Sequence, residues 1–144
     1  MKFAVRLVPY KNKHKKGGER QREKPKWCSI FVSLSMTSVK FLADEKLYGF
    51  EISGHSTVNC DDEVGKTVCA AVSSAAYMTA NTITEIIGDK AVAKVSDGEM
   101  LFKVLNPSDA SLKVLSGLRL HLTELSKQYS NNIKILEVQK NVKD

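Results

Sequence analysis

No stretch of this chain approaches the roughly 20 consecutive apolar residues that a helix needs to cross a bilayer. Its opening, Met1 to Pro9, stays apolar for only a few residues before lysine and glycine take over, too short for a secretory signal. The expectation is a cytoplasmic protein without membrane association. Cysteine is scarce as well. Cys28, Cys60 and Cys69 make an odd count with no close pair, which argues against a disulfide framework and fits a reducing compartment. His55 and Cys60 are near neighbours, yet without a C-x-x-C and a fourth partner they do not compose a structural zinc site. No metal or cofactor is called for.

What is present suits one soluble globular domain: 144 residues, 42% hydrophobic and 26% charged. The net charge of +6 is uneven. Ten Lys and Arg fall within residues 1–26 against two acids, Glu19 and Glu23, so the remainder of the chain is slightly acidic. Residues 11–26 have almost no apolar side chains and cannot offset the entropy of ordering. Residues 1–35 therefore read as a basic, disordered extension, and as a start-site artefact if translation begins at Met36. Such an arm can bind RNA weakly and non-specifically. Without interleaved aromatics for base stacking, a solvated or non-native leader is the favoured reading. Residues 36–144 read as the folded domain.

Periodicity supplies the elements. Cys28–Leu34 is strand-like in composition. Val39, Phe41 and Ala43 alternate with Ser38, Lys40 and Leu42, predicting a strand over 37–43. Asp44-Glu45-Lys46 turns the chain into a second alternating strand over 47–53. Lys66 to Ile87 lacks Gly and Pro, and Val68, Val72, Ala75, Ala76, Thr79, Ile83 and Ile86 share one helical stripe that Gly88-Asp89 ends. Asp97-Gly98, between the apolar runs 91–95 and 100–105, predicts a hairpin. Ser108 or Asp109 caps a second helix with Leu112, Leu115, Leu118, Leu122, Leu125 and Tyr129 on its apolar face. Asn131-Asn132 breaks the chain before a last strand with Ile133, Ile135 and Val138. The fold class is α+β. Two helices pack on one face of a mostly antiparallel, mixed sheet of about five strands.

Chemistry concentrates between the second strand and the first helix. Cys69, read as lying in the helix's first turn, would face free N–H groups and the positive end of the dipole, which favour a thiolate. A small buried hydrophobe is the ordinary reading of a lone cysteine. His55 follows Gly54 at the strand end, and the connecting loop returns to the helix head, so the two side chains can meet as a nucleophile and its base. From the residues alone the pair and a surface histidine are evenly matched. His14, in the basic arm, and His121, on the second helix, read as solvated.

Gly54-His55-Ser56, followed by Val68-Cys69-Ala70-Ala71-Val72-Ser73, resembles the G-H-A … V-C-A-A-V-S signature of the bacterial ribosomal-processing cysteine protease (Prp) family. The likeness runs from about Met36 to about Glu137, including Asp97-Gly98 and Tyr129…Asn132-Ile133-Lys134-Ile135. It implies that His55 and Cys69 are the catalytic pair. It also implies a homodimer, and a substrate in the N-terminal extension of the large-subunit ribosomal protein numbered twenty-seven. Two positions depart from the family pattern. Ser56 stands where Ala is common, and Lys66 where an Asp often precedes the cysteine by three residues. Asp61, Asp62 and Glu63 are the nearest carboxylates, read as a solvated loop, and no third catalytic residue is assigned. Lys66 would itself favour the thiolate. Helix-start amides, Cys69's included, are the expected oxyanion donors. The competing class is a non-enzymatic ribosome-associated module, its basic arm on RNA and its acidic loop on a basic protein. Three ordinary thiols would mark that module, and one fast-reacting cysteine a peptidase.

Overall fold

The computed structural model describes residues 36–57 and 62–139. The basic arm with His14, the Cys28–Leu34 segment, Cys60 and Asp61 lie outside the described residues. Strands β1 (Thr37–Ala43) and β2 (Leu47–Ser53) form the expected hairpin. Helix α1 (Glu63–Asn81) runs into a π-helical turn at Thr82–Ile87. Strands β3 (Ala91–Ser96) and β4 (Glu99–Val104), helix α2 (Asp109–Gln128) and strand β5 (Ile133–Gln139) complete the order.

The sheet order is β3-β4-β2-β1-β5. All pairs are antiparallel except β1–β5, which is parallel, with Thr37 opposite Ile133. Alternation in β1 places Val39 and Phe41 on one face, beside Phe50 and Ile52 of β2 and Met100, Phe102 and Val104 of β4. Lys40 and Glu51 pair across the opposite face at 3.8 Å, where both are partly exposed. The two helices cover the apolar face. Val68, Val72, Ala76 and Ala80 of α1, Ile83 of its π turn, and Leu115, Leu118 and Leu122 of α2 join one core with the strands. Phe50 and Phe102, both fully buried, stack at 5.4 Å in its centre. Burying a ring of that size stabilises the fold by roughly 2–3 kcal/mol relative to exposure. The predicted fold class holds.

Two helix details differ from the sequence reading. Helix α1 begins at Glu63, not Lys66, because Asp62 acts as its N-cap and accepts from Gly65 N at 2.8 Å. Part of the acidic run is thus a helix start rather than a solvated loop. At the other end the amides of Gly88 and Asp89 both bond Ile83 O, at 2.9 and 3.1 Å, which widens the last turn. That wider turn changes the phase of the stripe, and Ile86, expected on the apolar face, is 81% exposed. Gly88 closes the helix with φ 86°, a left-handed conformation that favours glycine.

Asp89, next in line, does more than follow the helix end. Its Oδ2 accepts from Ser111 Oγ at 2.6 Å and from both N and Oγ of Ser108, the α2 N-cap, at 2.8 Å. These bonds stabilise the carboxylate and hold its pKa below the ordinary 3.8, the Ser111 hydroxyl contributing most. One side chain therefore ties the end of the first helical segment to the start of the second.

Candidate active site

Strand directions gather one end of the sheet. The starts of β1 and β5, the end of β2 and the β3–β4 turn lie side by side, since Thr37 faces Ile133, Ser38 faces Ser53, and Ser53 faces Glu99. The chain leaves β2 through Gly54, whose φ of 85° suits glycine and whose missing Cβ makes room for Met36 O. Gly54 N donates to Gly98 O at 2.9 Å, binding this exit to the β3–β4 turn.

His55 comes next, with its imidazole in the open. The side chain is 58% exposed, and Nε2 stands 3.9 Å from Asp97 Oδ1. The ring lies over Gly98, where a Cβ would come within 2.6 Å of Nε2. Asp-Gly, read from sequence only as a turn, thus also forms the seat of the imidazole. Among the described residues no hydrogen bond joins that ring to Cys69.

Ser56 turns inward and is fully buried. Its backbone N–H donates to Cys69 Sγ at 3.0 Å, so the residue directly after His55 touches the sulfur. Its hydroxyl donates to Asn132 O at 3.0 Å and lies 2.6 Å from Thr37 Oγ1. Its carbonyl accepts from Asn132 Nδ2 at 2.9 Å. Gly65 of α1 lies directly beneath, and a Cβ there would meet Ser56 O at 2.5 Å and Thr57 Cα at 2.7 Å.

Cys69 itself is half-buried. With α1 beginning at Glu63, it stands almost two turns in rather than in the first turn. Its own amide belongs to the helix ladder, as does that of Lys66, which already bonds Asp62 O at 3.1 Å. The expectation that Cys69's N–H would hold an oxyanion is therefore corrected. Lys66 Nζ is paired with Glu63 Oε1 at 2.8 Å, so part of its charge is met by that carboxylate instead of the sulfur. His121 lies on the exposed side of α2, as expected.

Ala70 and Ser73, the small residues next to the nucleophile candidate, are exposed. With Ser74, Tyr77, Met78 and Asn81 they line an open groove of about 480 Å³ along α1. Neither Ser56 nor its partners Thr37 and Asn132 were assigned a role from sequence. The one visible signal was Ser56's departure from the common Ala of the signature.

The family described as cysteine protease Prp matches residues 36–134. Among solved structures, SMU.848 from Streptococcus mutans superposes with a TM-score of 0.65 at 18% identity, covering 74% of this chain and 97% of its own. The Staphylococcus aureus ribosomal processing protease Prp, carrying a covalently linked product peptide, gives 0.64 at 18% identity over 72% of this chain and 100% of its own. The same protease with a substrate peptide gives 0.64 at 17%, with the same coverage. These likenesses support the fold. No curated protein matches the chain.

Proposed function

Because the chain belongs to the cysteine protease Prp family and is a cysteine peptidase, we propose that Cys69 and His55 are its nucleophile and base. We propose further that it removes the N-terminal extension of the large-subunit ribosomal protein numbered twenty-seven. The observation that carries this reading is the 3.0 Å bond from Ser56 N to Cys69 Sγ, which sets the backbone that bears His55 against the thiol. In this reading the exposed imidazole swings away from Gly98 to meet the sulfur.

In the proposed cycle His55 takes the thiol proton, and the thiolate attacks the scissile carbonyl to form a tetrahedral adduct. Collapse of the adduct breaks the C–N bond, His55 gives the proton to the departing amine, and a thioester remains on Cys69. Water, deprotonated by the same imidazole, releases the new carboxylic acid and restores the thiol. The path proposed for an extended peptide is the open groove over Ala70 and Ser73, on the same helix as Cys69.

The rest of the reading follows from this role. Processing a ribosomal protein assigns the enzyme to the cytoplasm, and no helix among the described residues is long and apolar enough to cross a membrane. The assembly proposed is a homodimer, with the basic arm of residues 1–35 as an auxiliary RNA contact. The test is cleavage of a synthetic peptide spanning the extension. Cys69→Ala should abolish cleavage without lowering thermal stability, and His55→Ala should slow it by about 100-fold or more. Full activity in Cys69→Ala would refute the assignment.

A further inference from the structure

We infer that Ser56 is a positioning residue for the nucleophile, and that Thr37 and Asn132 hold its amide on Cys69 Sγ. The inference rests on the peptidase reading above for its catalytic meaning, but the geometry belongs to this chain's own residues. Ser56 has three polar groups, and each is engaged: N–H on the sulfur, C=O by Asn132 Nδ2, hydroxyl by Asn132 O and Thr37 Oγ1. The hydroxyl proton goes to Asn132 O, so the proton on the 2.6 Å contact comes from Thr37. Asn132 O is itself fixed by Thr37 N at 2.9 Å. A residue gripped at both its carbonyl and its side chain leaves the preceding peptide plane, which carries its N–H, little freedom to tilt.

The odd member of this set is the N–H. Buried backbone amides ordinarily pair with oxygen. Ser56 N instead meets a thiol sulfur, which is a weak acceptor when neutral and a strong one when charged. An amide fixed in that direction is satisfied best when the sulfur bears the negative charge that attack requires. Simple loop anchoring would need only the carbonyl and hydroxyl bonds. It gives no reason to aim a buried donor at the nucleophile candidate.

Its partners are far away in the chain, 19 residues back for Thr37 and 76 ahead for Asn132. Thr37 is 2% exposed at the start of β1, where its hydroxyl touches Ser56 and not the sulfur. It therefore offers a substitution that leaves the reacting groups unaltered. Thr37→Val is nearly isosteric and removes the proton given to Ser56, while Thr37→Ser keeps it. Ser56→Ala removes the hydroxyl itself.

The test measures iodoacetamide alkylation of Cys69 in the full chain, located by peptide mass mapping, together with kcat and KM on the extension peptide. Thr37→Val and Ser56→Ala should each slow alkylation and lower kcat by about tenfold, with KM within about twofold, as expected for misdirected reacting groups. Thr37→Ser should recover most of both. Melting temperatures of the Val and Ser forms separate loss of aim from loss of fold: equal melting with unequal alkylation supports the inference. Wild-type alkylation and kcat in both Thr37→Val and Ser56→Ala overturn it, as does a change confined to KM or a Thr37→Ser form as slow as Thr37→Val. If the unaltered protein alkylates fast at Cys69 yet cleaves no peptide, the substrate reading fails and the alkylation comparison still decides the role of Ser56.

Discussion

The two halves of the proposed dyad are held in opposite ways. Cys69 sits half-buried on a long helix, its sulfur bonded to an amide that two further residues pin. His55 lies across an exposed turn, its ring resting on glycine and its nearest carboxylate fully in solvent. The difference places a fixed thiol and an exposed imidazole at one end of the sheet. Buried hydrogen bonds are stronger and costlier to break than solvent-screened ion pairs. The backbone after His55 is tied to the core, while the imidazole stays exposed over Gly98.

Disturbing the fixed half should have the largest effect. Gly65→Ala places a Cβ against Ser56 O and Thr57 Cα, so the segment over the helix must lift. We expect about 2 kcal/mol of destabilisation in urea melts, and peptide cleavage reduced by about tenfold or more as the amide moves from the sulfur. Wild-type cleavage in a folded Gly65→Ala would show that the close approach does not matter to the site.

A control away from both halves is Asp89, at the junction of the π turn and α2. Asp89→Asn should lower the melting temperature by about 5 °C at neutral pH, with little change in cleavage. The pH dependence has a definite sign. Hydrogen bonding depresses the folded-state pKa, so the stabilisation is present above the ordinary 3.8 and is lost as pH falls through the lower folded value. Acid titration of stability should therefore be steeper for the wild type than for Asp89→Asn as pH falls from the ordinary 3.8 through the lower folded value. Parallel curves would deny the carboxylate its role as a tie.

The smallest effect should come from the exposed half. Asp97→Asn removes a carboxylate 3.9 Å from Nε2 in a fully solvated setting. Cleavage should fall by no more than about twofold at low salt, and the difference should vanish in high salt. A loss of tenfold would mean that Asp97 orients the imidazole in the working enzyme, and that the contrast between the halves is weaker than the geometry indicates.

Local pattern made much of this molecule legible. Period-two alternation marked β1 and β2, Asp97-Gly98 marked the β3–β4 turn, and Gly88 marked the end of the first helical segment, because each of these signals acts between near neighbours in the chain. The helix start was harder to read. Asp62 and Glu63 look like a solvated acidic run until Asp62 is seen to cap Gly65 N, and that shift alone moved Cys69 out of the first turn. Ile86 fell out of the apolar stripe because a π turn changes the period on which the stripe was counted.

By itself, then, the sequence determined the element order and the α+β class, and it singled out the Gly54-His55-Ser56 … Val68-Cys69 segment that the proposed thiol chemistry uses. Tertiary structure alone decided that β1 pairs in parallel with β5, and thereby that Thr37 and Asn132 meet at Ser56, whose amide touches the sulfur. Hydrogen bonds between groups so distant in the chain leave no periodic trace. They exist only once the core has closed and fixed which strand ends are neighbours.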